Sequence, residues 1–184
     1  MKNGGEQHKD DYTVMNPTHL VPTLIDDTVE GELILNQSMA ILDYLDNKYS
    51  QSPLYPESII DKAKVQALAL DVACEIHPVN NLRVQQYLVK ELNVDEANKL
   101  AWSHHWMSLG FTAFEEKLKK TAGQYCFGDQ VTIADVCLVP QVYNANRFKL
   151  DMAAFPLINE IVERCNELPA FIKALPENQE DAVT

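Results

Sequence analysis

The segment of residues 20–45 most constrains how this chain can fold, because two short apolar runs in it are followed at once by a helical pattern. Residues 20–25 and 32–35 are rich in branched apolar side chains, and the polar residues 26–31 between them suit a hairpin loop. Two adjacent antiparallel strands are therefore predicted.

Pro22 limits where the first of these strands can pair. Proline has no N–H to donate to a ladder, so Pro22 belongs among the first residues of a strand or on its edge. The main-chain groups of Val21 beside it can then turn toward a ligand. An ordinary trans proline at a strand edge is the alternative interpretation.

A helix is expected to start at Ser38, which stands just before apolar residues at helical spacing and is the natural N-cap. A helix start presents N–H groups and the positive end of a dipole to a carboxylate. Gln37 adds a side-chain amide, so a carboxylate with an adjacent amine would be well held there. Simple capping of the helix is the alternative interpretation of Ser38.

Residues 50–56 form a polar, proline-containing connector, and the strand signals stop beyond it. From Ile59 onward, one apolar row recurs at positions 60, 63, 67, 70 and 74 and a second at 65, 68, 72 and 76. This pattern predicts a helix that buries two faces, one in a helical core and the other against the small domain or a second subunit. A later helix, over about residues 95–120, carries aromatic rows that we interpret as core, with His104 and His105 as surface or hydrogen-bonded side chains.

Pro78 removes a helical N–H, so a kink or break is expected near His77. Asn80 and Asn81 follow at that point, where their amides and the freed main-chain groups are available to a ligand. Further on, Thr132 and Asp135 have the spacing of a capping box.

The chain has three arginines, Arg83, Arg147 and Arg164. Arg147 is expected at the end of the helix that Thr132 begins, and Pro140 should bend that helix. The planar guanidinium of Arg147 suits a carboxylate, and capping of the helix dipole is the alternative role. For Arg83, a plain surface charge is the alternative to ligand binding.

Composition excludes several classes of partner and site. The formal net charge of −12 argues against nucleic acid and against an anionic membrane surface. No apolar stretch approaches the roughly 18 residues of a membrane span, and no signal-peptide pattern is present. The four cysteines are widely spaced, which predicts neither a metal site nor disulfides. They are expected to be reduced and mostly buried, in a cytoplasmic protein with mitochondria as the other possible compartment.

Several runs of residues together carry a resemblance that covers nearly the whole chain. The chain resembles the zeta-class glutathione transferases, the maleylacetoacetate isomerase family. The runs are Asn16-Pro17, Val21-Pro22-Thr23-Leu24, Gln37-Ser38, 76–83 (IHPVNNLR), 122–129 (AGQYCFGD), 132–142 (TIADVCLVPQV) and 144–148 (NANRF).

The resemblance implies an α+β two-domain glutathione transferase fold. A truncated thioredoxin-like domain at residues 1–49 would bind glutathione, residues 50–56 would be the linker, and 57–184 would form an all-α helical bundle. It also implies a homodimeric enzyme of tyrosine and phenylalanine breakdown. That enzyme uses a glutathione thiolate to isomerise maleylacetoacetate to fumarylacetoacetate, and it dehalogenates small α-halo acids.

The resemblance also assigns site residues. Arg147 matches the arginine thought to hold the substrate carboxylate. The residues expected at the glutathione are Gln7, Val21, Pro22, Gln37, Ser38, His77, Asn81, Leu82 and Arg83.

One part of the family pattern is absent from the 184 residues. Members begin with a strand, a helix bearing a Ser-Ser-Cys motif that stabilises the glutathione thiolate, and a second strand. Here no serine precedes Ser38 and no cysteine precedes Cys74, so no catalytic residue is predicted. We expect a shorter isoform, an alternative start or an incomplete gene model, with a marginally stable small domain. A catalytically silent transferase-like module for binding or dimerisation is the alternative hypothesis.

Overall fold

The computed structural model of the protein describes residues 5–49, 51–180 and 182. The chain divides into two compact units, Met1–Pro53 and Leu54–Thr184. The first contains both strands of the described part of the chain, and the second is built from helices.

The first unit contains the predicted hairpin. A 3-10 turn at Glu6–His8 and helix α1, Asp10–Met15, precede strand β1, Thr23–Asp26, and strand β2, Leu33–Asn36. The strands pair antiparallel from Thr23 opposite Asn36 to Asp26 opposite Leu33, which confirms the predicted hairpin. β1 begins one residue after Pro22, as expected of a residue that cannot donate to the ladder.

Helix α2, Ser38–Lys48, begins at the predicted place, but the prediction that Ser38 is its N-cap was wrong by one residue. Because β2 runs through Asn36, Gln37 alone connects strand to helix and takes the N-cap position, with a φ of 75°. Ser38 is the first helical residue.

A buried carboxylate joins the hairpin to α2. Asp26, at the end of β1, accepts hydrogen bonds from the Tyr44 hydroxyl at 2.6 Å and from the Lys48 ammonium group. Thr28 donates to the same carboxylate through its N–H at 3.0 Å and its hydroxyl at 2.6 Å. This network fixes α2 against the loop end of the hairpin.

The regular elements of the second unit are helices, and one isolated β-bridge joins Ala122 to Gly128 in its described residues. Its α-helices are α3 Ile59–Leu70, α4 Leu82–Lys90, α5 Glu96–Thr121, α6 Ile133–Arg147, α7 Pro156–Asn166 and α8 Pro169–Ala174. The core lies among α3, α5, α6 and α7, and its largest fully buried side chains include Phe111, Phe114, Met107 and Leu138. None of the helices in the described residues has both the length and the apolar character needed to cross a membrane.

The break near Pro78 is confirmed. α3 continues as a π-helical segment, Asp71–Ile76, and then gives way at His77 to a 3-10 turn, Pro78–Asn80. The π segment lies so close to α5 that a Cβ on Gly110 would come within 2.3 Å of Ile76 Cγ1. Glycine is therefore needed at this position for the two elements to pack.

Only one of the two apolar rows predicted for α3 and its extension is buried within the single chain. Positions 65, 68, 72 and 76 lie in the core, whereas 60, 63, 67 and 74 are exposed.

Two carboxylates organise the starts of later helices. The capping box is confirmed: Asp135 accepts hydrogen bonds from the N–H and the hydroxyl of Thr132, at 2.8 and 2.9 Å. Its other oxygen accepts the Cys126 N–H at 2.8 Å. In the same way, Glu115 on α5 accepts the first N–H groups of α7, from Leu157 at 2.8 Å and Ile158 at 3.0 Å.

Candidate functional site

The strand register brings two of the predicted motifs together. Thr23 is paired with Asn36, and its hydroxyl donates to the Asn36 Oδ1 at 2.7 Å. Val21-Pro22 precedes the first member of this pair and Gln37-Ser38 follows the second. The two dipeptides therefore flank the same end of the hairpin, and we call this place the hairpin corner.

At the hairpin corner the Val21-Pro22 peptide bond is cis. Val21 is 62% exposed. Among the described residues, no hydrogen bond uses the N–H or the C=O of Val21. These main-chain groups can therefore pair with a ligand.

Gln37 and Ser38 supply the polar groups of the corner. Both are exposed, and neither side chain has a hydrogen-bond partner within the described part of the chain. The Gln37 C=O accepts the Ile41 N–H at 3.0 Å, which starts the helical ladder of α2. The amide, the hydroxyl and the positive end of the helix dipole are thus available to an anion.

Tyr12 and Asn16 stabilise the hairpin corner through hydrogen bonds. The Leu20 C=O accepts the Tyr12 hydroxyl at 2.5 Å and the amide of the buried Asn16 at 2.7 Å, and Tyr12 also lies 2.8 Å from the Thr23 hydroxyl. The sequence analysis assigned no role to either side chain. Asn16-Pro17 was noticed only as part of the resemblance, and nothing in the local pattern indicated Tyr12.

Gln7 lies in the 3-10 turn Glu6–His8 and is half-buried. Its main-chain oxygen is 3.3 Å from Nδ1 of His19, and its side chain is 3.4 Å from the ring of His8. His19 thus ties this turn to the loop that leads into Val21. No hydrogen bond joins the Gln7 side chain to Val21, Gln37 or Ser38 within the described residues.

Four other predicted residues lie along the helix break of the second unit. His77 ends the π segment, and Leu82 and Arg83 open α4; all three are exposed. Asn81 is the N-cap of α4, because its Oδ1 accepts the Arg83 N–H at 3.1 Å. The Nδ2 of Asn81 has no partner in the described residues, so this side chain can cap and still donate to a ligand.

Arg147 is the last residue of α6 and is exposed. It makes no ion pair or side-chain hydrogen bond within the described part of the chain. One helical turn earlier, the Tyr143 hydroxyl donates to Oε1 of Glu177 at 2.5 Å. The hydrogen bond to Glu177 raises the pKa of Tyr143, and the same bond lowers the pKa of Glu177.

Three of the four thiols are unsuited to act as nucleophiles. Burial raises the pKa of Cys137 to about 11 and that of Cys165 to about 12, and it raises the pKa of Cys126 well above the usual value. A thiol becomes a nucleophile as its thiolate, so these three remain inert at neutral pH. Cys74 is the exposed thiol of the four.

Known proteins of one family are similar to this chain over nearly its whole length. The family model of the glutathione S-transferase N-terminal domain matches residues 3–53, and that of the C-terminal domain matches residues 108–169. A probable maleylacetoacetate isomerase of Vibrio cholerae serotype O1 is 51% identical over 181 residues, which cover 98% of this chain and 82% of the relative. A maleylpyruvate isomerase of a Ralstonia species is 43% identical over 97% of this chain and 84% of the relative.

Solved structures agree with these relatives. The holo structure of a maleyl pyruvate isomerase, a bacterial glutathione S-transferase of the zeta class, has a TM-score of 0.92 and 41% identity, and the match covers 98% of this chain and 84% of that one. A maleylacetoacetate isomerase of Methylobacterium extorquens AM1, with bound malonate and glutathione, has a TM-score of 0.91 and 34% identity. That match also covers 98% of this chain and 84% of the other.

Proposed function

The chain belongs to the glutathione transferase family, in the zeta class with the maleylacetoacetate isomerases, and we propose that it isomerises maleylacetoacetate to fumarylacetoacetate with glutathione as cofactor. This is a cis-trans isomerisation in tyrosine and phenylalanine breakdown. The observation that carries the proposal is the hairpin corner, where the strand register sets Val21-Pro22 beside Gln37-Ser38.

The groups at the corner fit a tripeptide thiol. Main-chain groups of Val21 suit the peptide part of glutathione, since a peptide pairs best with main-chain donors and acceptors. The Gln37 amide, the Ser38 hydroxyl and the first turn of α2 suit its γ-glutamyl carboxylate. We assign Pro22 and Gln7 to the wall of the same site, because Pro22 adjoins Val21 and Gln7 lies in the turn that His19 ties to the loop before Val21.

In the second unit, His77, Asn81, Leu82 and Arg83 are proposed as further contacts to glutathione. Their support is that all four lie at one helix break or just after it, where donors and a cation are available to a ligand. The Asn81 Nδ2 and the Arg83 guanidinium are the donors of this group.

When bound, glutathione would supply a thiolate for reversible addition to the conjugated cis double bond. Addition would permit rotation about that bond, and loss of the thiolate would give the trans isomer. The contribution of this chain is to hold both reactants in one orientation and to place positive charge by the anionic substrate. Arg147 is proposed to bind a substrate carboxylate, because its guanidinium is exposed and can form two parallel hydrogen bonds.

The same cofactor would also act on small α-halo acids. Displacement at the α-carbon forms a C–S bond, breaks the C–halogen bond and releases halide. An exposed arginine that holds the carboxylate would serve this reaction as it serves the isomerisation.

Two measurements on the full chain test the proposed function. Isothermal titration calorimetry with glutathione measures cofactor binding, and a maleylacetone assay measures isomerisation. Binding with turnover supports the proposal, and binding without turnover favours the silent module. Failure to bind glutathione would contradict both the proposed enzyme and the silent module.

We also propose that the protein is a homodimer. The support is the apolar row that is exposed in the single chain, in which Ile60 is 65% exposed, and the neighbouring Ile59, which is 83% exposed. Contiguous apolar surface of this kind is typical of an interface between proteins.

The compartment proposed for the protein is the cytoplasm, with mitochondria as the alternative. The four cysteines are free thiols, and thiols persist in reducing compartments. Cell fractionation followed by immunoblotting distinguishes the two locations.

A further inference from the structure

Arg147, Tyr143 and Glu177 form a cluster at the end of α6 that the proposed reaction does not explain in full. Tyr143 and Arg147 are four residues apart in one helix, so their side chains share a face. Glu177 comes from the 3-10 turn Pro176–Asn178 near the end of the chain. Its carboxylate is bound to the Tyr143 hydroxyl at 2.5 Å, while Arg147 has no ionic partner in the described residues. The Tyr143 hydroxyl therefore binds a carboxylate on the helix face that carries Arg147, and no ion pair joins Glu177 to Arg147 in the described residues.

We propose that Tyr143 is a positioning residue whose hydroxyl holds the Glu177 carboxylate off Arg147 and so keeps the guanidinium available to a substrate carboxylate. This inference rests on the proposed role of Arg147 in substrate binding.

The chemistry of the three groups explains why such a holder is needed. An exposed arginine pairs readily with a nearby carboxylate, and Glu177 would then compete with the substrate. The Tyr143 hydroxyl offers Glu177 a charge-assisted hydrogen bond in place of that ion pair. Glu177 is ionised and Tyr143 protonated at neutral pH, because their hydrogen bond lowers the pKa of the acid and raises that of the phenol.

Removing the hydroxyl should let Glu177 compete for Arg147. Exposed ion pairs are weak, so the apparent affinity for an external carboxylate should fall about threefold to fivefold in Tyr143→Phe. The second substitution in Tyr143→Phe/Glu177→Gln removes the competing charge, so affinity should return to that of the unaltered chain. A merely structural role of Tyr143 would not produce this rescue.

The test is calorimetric titration of malonate into the full chain with glutathione present, since the Methylobacterium extorquens isomerase structure contains both bound malonate and bound glutathione. The unaltered chain, the double variant and Glu177→Gln should bind malonate with equal affinity. Tyr143→Phe should bind it more weakly, and Arg147→Ala should bind it most weakly. Tyr87→Phe, at an exposed tyrosine on α4, is the matched control and should leave malonate binding unchanged.

The outcomes separate the inference from the proposal beneath it. If Arg147→Ala binds malonate as well as the unaltered chain does, the proposed role of Arg147 fails, and this inference fails with it. The same follows if the unaltered chain itself does not bind malonate. If Arg147→Ala abolishes binding but Tyr143→Phe does not weaken it, or Glu177→Gln does not rescue it, only the inference fails.

Ultraviolet titration of tyrosine gives a readout that needs neither turnover nor malonate. Subtracting the curve of Tyr143→Phe isolates the ionisation of Tyr143, with Glu177 and Arg147 as the charged groups beside it. Glu177→Gln should lower the pKa of Tyr143. An unchanged pKa would show that the Tyr143–Glu177 bond does not form in solution, and the inference would be overturned.

Discussion

The polar side chains of this protein differ in whether they already have a hydrogen-bond partner within the fold. Asn81 accepts an N–H to cap α4, and Asp26 is saturated by Tyr44, Lys48 and Thr28. The Ser38 hydroxyl has no such bond in the described residues. A group without an internal partner can be removed at little cost to folding, so its loss should be felt in ligand binding.

Ser38→Ala should therefore weaken glutathione binding about tenfold while leaving stability nearly unchanged, since a hydrogen bond to a charged group contributes about 1.5 kcal/mol. Calorimetry with glutathione and urea unfolding measure the two effects. Ser58→Ala is the control, because the Ser58 hydroxyl caps α3 at the Asp61 N–H. It should cost about 0.5–1 kcal/mol of stability without affecting binding. Equal glutathione affinity in Ser38→Ala and the unaltered chain would contradict the assignment of Ser38.

Asp26 should make the stability of the first unit depend on pH in the acid range. Hydrogen bonds from Lys48, Thr28 and Tyr44 hold the pKa of this carboxyl well below its usual range. A carboxyl with a lowered folded-state pKa contributes stability that is present above its unfolded pKa of about 3.9 and is lost as the pH falls toward the folded value. Asp26→Asn should therefore be destabilised at neutral pH, and the difference should shrink below about pH 4.

Urea unfolding followed by circular dichroism, from neutral pH to about pH 3, measures this dependence. Asp27→Asn is the control, since the neighbouring Asp27 is exposed and has no hydrogen-bond partner within the described residues. A stability gap between Asp26→Asn and the unaltered chain that stays constant over this range would count against the network.

At the scale of elements, carboxylates set helix starts by reaching across the fold. Glu115 of α5 binds the first N–H groups of α7, and Asp135 of α6 binds both its own N-cap, Thr132, and the Cys126 N–H of the preceding segment. These bonds satisfy donors that a helix start cannot satisfy internally. Each links two elements whose relative position the hydrophobic core alone would leave less well defined.

Asp135→Ala should destabilise the second unit by about 3 kcal/mol, because several buried donors would lose their acceptor at once. Asp129→Ala is the matched control. Within the described residues, the exposed Asp129 accepts only the Gln124 N–H, at 3.0 Å, so its loss should cost less than about 1 kcal/mol. Urea unfolding measures both variants. Similar losses in the two would show that burial of the Asp135 network contributes little.

At the scale of the whole molecule, the proposed homodimer rests on an exposed apolar row on α3 and the π segment that continues it. Positions 60, 63, 67 and 74 belong to an apolar row of the sequence, yet they are exposed in the single chain. Burial against a second subunit would account for their apolar character, since surface positions of this kind are otherwise polar.

Ile60→Lys should convert the proposed dimer to monomers, because each interface would gain two buried charges without partners. Ile172→Lys, at an exposed apolar residue on α8, is the control and should leave the mass unchanged. Sedimentation equilibrium gives the mass of each variant. A monomeric unaltered chain at micromolar concentration would disprove the dimer.

The sequence by itself determined the features that depend on near neighbours. Two apolar runs rich in branched side chains, with a polar loop between them, predicted the β1–β2 hairpin. Pro78 predicted the helix break, and the spacing of Thr132 and Asp135 predicted the capping box. The quoted motifs, together with these elements, were enough to identify the family. Near-neighbour signals succeed because turns, caps and helical faces are fixed within a few residues along the chain.

Only the tertiary structure decided the contacts between residues far apart in the chain. Tyr12 and Asn16 beneath the hairpin corner, Glu115 at the start of α7, and Tyr143 with Glu177 leave no local signal. The tertiary structure also assigned the N-cap of α2 to Gln37 and left one face of α3 exposed. Such contacts depend on which elements the core brings together, and periodicity within a single helix or strand carries no information about that arrangement.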